Sequence, residues 1–369
     1  MSYFHLNLIL KGKLTVCCLL MLSVIPLNAQ REAKQIGDFK ESISLNEHLR
    51  GTKRTLQYCP DGDEFVCVNG KNRYTRALYG SHSPFRVETS DRPVFAFYNN
   101  GRGGNISFKV ILRDGTELAL DRTGYCESRY SAGKRTYYLT DPSWGKGELR
   151  ISVLALADMD GAIWRFSPSN MPKGAILRWQ HGGATGKRLS RNGDMGVDPA
   201  DCFELPAEAT DLVTGELALQ KEVYLVRGEV PEGYNVRKLY QQAEAASLAL
   251  ASHLKIETPD PYLNTLGGAL VAAADGIWDG QVWLHGAIGW RMPLSGWRAG
   301  YTGDALGWHD RARTHFDAYA ASQVTDVPNT IPHPAQDSTM NLARSEKRWG
   351  TPQYSNGYIC RNPERNNQM

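Results

Sequence analysis

The residues best suited to chemistry lie between Gly289 and Arg311, in the run GWRMPLSGWRAGYTGDALGWHDR. Trp290, Trp297, Tyr301 and Trp308 alternate there with Arg291, Arg298, Arg311, Asp304, His309 and Asp310, and glycine recurs at 289, 296, 300, 303 and 307. Flat rings cover the C–H faces of a pyranose, while guanidinium and carboxylate groups satisfy hydroxyls that would otherwise be buried without partners. The chemistry is that of carbohydrate recognition on a backbone loosened by glycine. Trp290 and Trp297 are expected to stack, Arg291 and Arg298 to hold hydroxyls or a uronate carboxylate, and Tyr301 and His309 to add polar contacts. The bland alternative is a set of core aromatics pinning a long loop between two helices. Five of the nine tryptophans fall in this neighbourhood, at 278, 283, 290, 297 and 308, but core aromatics do not ordinarily come with three arginines.

Asp304 is the one catalytic candidate. It reads either as an acid/base group or as the N-cap of a helix that it opens. Glycoside hydrolysis ordinarily needs two carboxyl groups flanking the scissile bond, and no convincing partner for Asp304 stands out. Asp310 and Arg311 read as a local ion pair on a helix surface.

The elements that must position these residues are helical. From Asn235 to Ile256, Val236, Leu239, Tyr240, Ala243, Ala246, Leu250 and Leu254 recur at intervals of three and four, an amphipathic helix. Thr258-Pro259-Asp260-Pro261 breaks it, and Asp260 with Pro261 supplies an N-cap and first position for the next helix. That helix carries Leu263, Leu266, Leu270, Ala273 and Ile277, with Gly267, Gly268, Ala269 and Ala272 permitting close packing. A third helix is expected from Asp304 to about Ser322, burying Trp308, Ala312, His315, Phe316 and Tyr319. Val324 to Met369, with five prolines, reads as long loop.

Before Pro231 the period is two. Ile106, Phe108, Val110 and Leu112 alternate with polar residues, reach Asp114-Gly115 and return through Leu118 and Leu120, a hairpin. Leu149, Ile151 and Val153 lead to Asp160-Gly161 and back through Ile163, Trp164 and Phe166. Further strands are expected at Phe95 to Tyr98, Arg135 to Leu139, Ile176 to Trp179 and Leu217 to Val226, which together argue for an antiparallel β-sandwich. The glycine-rich stretches 100–104 and 181–187 lack P-loop spacing and a following helix, and are expected to be loops connecting strands.

Composition narrows the class. The 369 residues are 41% hydrophobic and 22% charged, with 42 basic against 39 acidic side chains. Lys11 and Lys13, the apolar run Leu14 to Ile25 and the site Leu27-Asn28-Ala29 read as a signal peptide over residues 1–29. Removing its two lysines leaves 40 basic and 39 acidic residues, a net +1, which lacks the basic footprint of a nucleic-acid binder. The apolar run is too short to span a membrane and no second run of ~20 residues follows, so a periplasmic or secreted protein is expected. Five of the seven cysteines remain, Cys59, Cys67, Cys126, Cys202 and Cys360. A Cys59–Cys67 bridge stays open, although a four-residue loop would set Cys59 opposite Glu64. No cysteine and histidine spacing reads as a zinc site.

Signal peptide, sandwich, linker helix and helical hairpins opening with PDPYLNTLGGALVAAADGIWDG and GWRMPLSGWRAGYTGDALGWHDRA resemble the six-hairpin glycosidase-like exported proteins of Bacteroidetes. The resemblance implies a β-sandwich over residues 30–230, a linker helix over 231–258 and an (α/α)6 barrel from 259. It also implies action on complex polysaccharide glycans without a cofactor. A full barrel has twelve helices, and the 110 residues after Pro259 hold about four. The sequence is therefore expected to stop inside its second domain, at 369, without the later helices that usually carry the acid and base. Two activities remain open, an incomplete and impaired glycoside hydrolase-like protein and a non-catalytic glycan-binding protein of the periplasm. A polysaccharide lyase fits less well, because such lyases usually place the helical barrel before the sheets.

Overall fold

The computed structural model describes residues 57–71, 76–99, 102–188, 212–230, 232–286 and 297–323. The signal-peptide segment, Cys202, Cys360 and the loop expected from Val324 lie outside the described residues.

In chain order the strands are β1 (Cys59–Asp61), β2 (Glu64–Val68), β3 (Arg76–Leu78), β4 (Arg86–Thr89), β5 (Phe95–Asn99), β6 (Arg102–Ile111) and β7 (Glu117–Ala119). Then follow β8 (Tyr125–Ser131), β9 (Lys134–Thr140), β10 (Glu148–Ala155), β11 (Gly161–Ser169), β12 (Ile176–Arg188), β13 (Val213–Ala218) and β14 (Val223–Gly228). Among the described residues they form two antiparallel sheets, ordered β1-β2-β8-β9-β10-β11-β14 and β13-β12-β6-β5-β4-β3, with β7 paired to β6. The chain is thus β-rich first and helical afterwards.

Both expected hairpins form. Val110 faces Leu118 across the Asp114-Gly115 turn, where Gly115 has φ +86°, and Val153 faces Trp164 across the Asp160-Gly161 turn. Alternation sends Ile106, Phe108 and Val110 inward against Tyr137, Leu139, Ile151, Val153, Trp164 and Phe166 of the other sheet. Phe95 sits at the centre, edge-on to Phe108, Tyr137 and Trp164 at centroid distances of 5.6 to 5.8 Å.

Two strand expectations are corrected. Leu217 to Val226 is not one strand but β13 and β14, which belong to opposite sheets. The buried Leu219 marks the crossing, its N–H bonded to the Ala175 carbonyl, and the exposed Gln220 and Lys221 form the turn. Of the glycine-rich stretches, residues 102–104 and 181–187 are strand rather than loop, since Gly104 pairs Gly183 and Asn105 pairs Gly182 before the register shifts towards Arg188, while 100 and 101 lie outside the described residues. Backbone pairing there needs no side chain to pack, so glycine weakens these strand ends without abolishing them.

The cysteine question also resolves. The β1–β2 turn is two residues long, with Asp61 opposite Glu64, which places Cys59 opposite Val66. Among the described residues no disulfide joins Cys59, Cys67 and Cys126. Burial pushes the Cys126 thiol up to about 12 and also raises that of Cys67. Since the thiolate is the reactive form, iodoacetamide at pH 8 is expected to modify Cys59 well before Cys67 and Cys126. Peptide mapping of the native protein checks this, and early alkylation of Cys126 would contradict it.

Helix α1 (Val236–Ala251) opens on Asn235, whose side chain accepts from Lys238 N at 3.0 Å. Leu239, Tyr240 and Ala243 pack on Leu154, Leu156 and Ile163 of the first sheet's outer face, whereas Val236 and Ala246, expected to be inward, are exposed. Helix α2 (Pro261–Gly276) starts at the expected cap, Asp260 accepting from Tyr262 N at 2.8 Å. Its expected apolar face is right only in part: Leu266 packs against the sandwich core and Ile277 against the Trp278–Trp283 cluster, and Gly267 and Ala272 are buried as close-packing positions. Leu263 and Leu270 are 46% and 49% exposed, and the buried side carries Thr265, Gly267, Val271, Ala272, Ala274 and Asp275. The glycines decide this, because a Cβ at Gly267 would lie 2.6 Å from the Leu254 carbonyl oxygen, and one at Gly276 would lie 2.2 Å from the Tyr79 ring. Arg86, fully buried with its guanidinium 4.9 Å from the Tyr79 ring centroid, donates to the Gly276 carbonyl and ties the end of α2 to β4.

The single helix expected from Asp304 is two, α3 (Trp297–Ala305) and α4 (His309–Ala321). Gly307, at φ +74°, ends α3; its N–H bonds the Asp304 carbonyl and that of Trp308 bonds the Gly303 carbonyl, a Schellman closure. No described helix is long and apolar enough to cross a membrane.

Candidate functional site

Asp304 is not an N-cap. It lies in the last turn of α3, and the residue preceding α4 is Trp308, which makes no side-chain cap. Its Oδ1 lies 2.7 Å from His309 Nδ1, and the two side chains are 64% and 71% exposed. A carboxylate at a helix C-terminus meets the unfavourable end of the helix dipole, and the His309 ring nitrogen beside it offsets that. Tyr301, one turn before Asp304, is 64% exposed. The α3–α4 corner therefore brings Tyr301, Asp304 and His309 onto one accessible surface. Trp297 and Arg298 open α3 in the backbone, their side chains undescribed, and Trp290 and Arg291 lie outside the described residues.

The glycines of this stretch do more packing than loosening. A Cβ at Gly303 would lie 2.2 Å from the Trp283 ring, and one at Gly300 would lie 2.2 Å from the Phe316 ring. Phe316 itself, expected to be buried, is 41% exposed, while Ala312, His315 and Tyr319 form the buried side of α4. His315 Nδ1 accepts from Trp283 N at 3.2 Å and Trp283 Nε1 donates to Ala274 O at 3.1 Å, which fixes α4 to the end of α2.

Beneath the corner lies a charged chain that sequence reasoning missed. Arg311 Nη1 donates to Asp275 Oδ1 at 2.7 Å, and His82 Nε2, from the segment between β3 and β4, lies 3.1 Å from the same oxygen. Burial opposes the ionised form of Asp275, but the hydrogen bonds from His82 and Arg311 and their charges hold its carboxyl below the usual range. The Arg311 guanidinium lies 4.4 Å from the Trp308 ring centroid and 5.8 Å from that of Trp278. His253 stands 5.5 Å from the Trp308 ring, so Trp308 is a packing residue here and Arg311 is no surface ion-pair partner of Asp310. Asp275 is a carboxylate fixed in its ionised form, which suits anchoring a cation and not donating a proton.

Two cavities are lined by none of Tyr301, Asp304 and His309. One of about 210 Å³ between the first sheet and the helices is lined by His82, Asp275, Tyr79, Ser247, Ala243 and Ala272. A groove of about 690 Å³ runs between the β1–β2 turn and the α1–α2 connection, past Asp63, Lys255, Glu257 and Asn264.

Residues 100–230 match a family model described as a domain of unknown function (DUF4450). That stretch is 131 of the 369 residues, all of it within the part leading up to the helices. No curated protein matches the chain. Among solved structures it is similar to a bacterial glucoamylase crystallised with acarbose, at 9% identity and a TM-score of 0.44, over 70% of this chain and 55% of that one. The chain thus spans about half the length of that glucoamylase, and a likeness at this level carries no argument about activity.

The missed group had no local signal. His82 and Asp275 are 193 positions apart, and Asp275 and Arg311 are 36 apart. Asp275 read simply as the end of an apolar helix.

Proposed function

We propose that the protein is an exported glycoside hydrolase-like protein that engages complex glycans at the α3–α4 corner. In this reading residues 30–230 form the sandwich domain, 231–258 the linker helix, and 259–369 the first hairpins of an (α/α)6 barrel. The observation that carries it is the convergence of Tyr301, Asp304 and His309 on one exposed surface, within the stretch that also holds Trp290, Arg291, Trp297 and Arg298. An aromatic face beside a carboxylate and an imidazole suits the mixed apolar and hydroxylated surface of a sugar. Asp304 is the acid/base candidate.

A second reading, a non-catalytic glycan-binding protein, is favoured by the exposure of Asp304. A general acid is ordinarily tuned by burial or by a like charge, and this carboxylate is 64% exposed beside a histidine. Asp304→Asn separates the two. With starch, xylan, pectin and chondroitin as probes, catalysis by Asp304 predicts a loss of turnover of roughly 100-fold or more with binding retained. Binding without turnover, weakened by Tyr301→Ala and not by Asp304→Asn, supports the second reading. Neither binding nor turnover with any of the four polymers would sink both.

A further inference from the structure

The outer face of the first sheet carries an arrangement that the α3–α4 corner does not use. Arg150 projects outward between the buried Leu149 and Ile151 of β10, as Arg165 does between Trp164 and Phe166 of β11. Arg150 pairs with Ser167 and Ser152 with Arg165, so the two arginines are diagonal neighbours on one face, ~7 Å apart where they leave the sheet. Each lies over a tyrosine. The Arg150 guanidinium is 5.3 Å from the ring centroid of Tyr138 on β9, and that of Arg165 is 4.3 Å from the ring centroid of Tyr240 on α1.

Both arginines are half-buried, and their Nε atoms are shut off from solvent with no hydrogen-bond partner among the described residues. Among the described residues neither forms an ion pair. Three nearby carboxylates are engaged elsewhere. Glu127 pairs with Arg129 at 2.6 Å, Glu244 with Lys134 at 3.1 Å, and Glu222 with Arg237 at 3.4 Å and with the Tyr224 hydroxyl at 2.6 Å. The Glu222 carboxyl is held below its usual range first by Tyr224 and less by Arg165 and Arg237, yet no ion pair joins it to Arg165.

Two cations steadied by aromatic rings, one strand apart, with no carboxylate committed to either, leave guanidinium edges ready for an oxyanion. Arginine's planar fork suits carboxylate and sulfate, and stacking removes much of the entropy that binding otherwise costs. We propose that Arg150 and Arg165 form a seat for an oxyanion, the carboxylate or sulfate of an acidic glycan. The seat stands on its own geometry, whereas the glycan as carrier rests on the function proposed above.

The test uses the full chain labelled with 15N-arginine. Titration with inorganic sulfate is expected to shift the Arg150 and Arg165 Nε–H resonances, assigned from the single variants, while chloride at equal ionic strength leaves them in place. In affinity electrophoresis, polygalacturonate or dextran sulfate is expected to retard the protein and plain dextran is not; the polymer that retards it identifies carboxylate or sulfate. R150Q/R165Q, checked for native circular dichroism, is expected to weaken retardation at least fivefold. If that variant fails to fold, R150K/R165K, which keeps the charge and loses the fork, is expected to weaken it as well. Unchanged retardation in the folded variants, or no sulfate-dependent shift in the wild type, overturns the seat. A sulfate shift without retardation by either acidic polymer supports the seat and overturns the glycan as its carrier.

Discussion

Asp275→Ala is expected to destabilise the protein by ~2–3 kcal/mol, because it leaves Arg311 and His82 facing a partly buried site without their shared carboxylate. Arg311 and His82 are 27% and 38% exposed, which keeps the cost below that of a fully buried pair. The three residues come from α4, α2 and the segment before β4, so the loss falls on the docking of the helices against the sheets. Limited proteolysis should cut the helical part first, ahead of the sandwich. The pH dependence has a definite sign. A carboxyl whose folded value is depressed stabilises above its unfolded value and loses that contribution as pH falls through the folded one. The stability gap between wild type and Asp275→Asn should therefore be full at neutral pH and close progressively below about pH 4. A gap that persists unchanged at pH 2.5 would show that Asp275 acts by shape and not by charge.

Trp164→Ala should be costlier still, ~3–5 kcal/mol, since it empties a large site in a packed core. Trp164 is fully buried and makes ring contacts with Phe95, Phe97 and Phe108 at centroid distances of 5.6 to 6.1 Å. Its indole N–H has no hydrogen-bond partner among the described residues. Trp164→Phe therefore loses volume without losing a hydrogen bond, and its urea midpoint should lie clearly between those of wild type and Trp164→Ala. If phenylalanine proved as damaging as alanine, the packing account of this position would be wrong.

Much of the β-rich half was legible in the sequence for a local reason. Inward and outward residues alternate with period two along β6 and β10, and Asp-Gly pairs mark the turns, so neighbours in sequence are neighbours in the sheet. The cap at Asp260-Pro261 was legible for the same reason. The buried face of α2 was legible only in part: Gly267 and Ala272 could be marked as close-packing positions, but the seats of Gly267 on Leu254 and of Gly276 on Tyr79 are contacts that no periodicity of α2 can reveal. The division between α3 and α4 was not legible, because the one decisive residue, Gly307, sits among other glycines that serve packing instead. At the candidate site Tyr301, Asp304 and His309 could be named together because they lie within nine residues. The anchoring of Arg311 on Asp275 and His82 depends on two sheets and two helices being assembled first.

The junction at Gly276 has a consequence for how this architecture can be rearranged. The end of α2 touches the sandwich with bare backbone, seated on the Tyr79 ring and gripped through its carbonyl by Arg86. The helical half is therefore keyed to this sandwich as a part cut for one socket. A chimera that moves it onto a foreign sheet scaffold must carry Tyr79 and Arg86 with it, or the transplanted helices will have no fixed bearing.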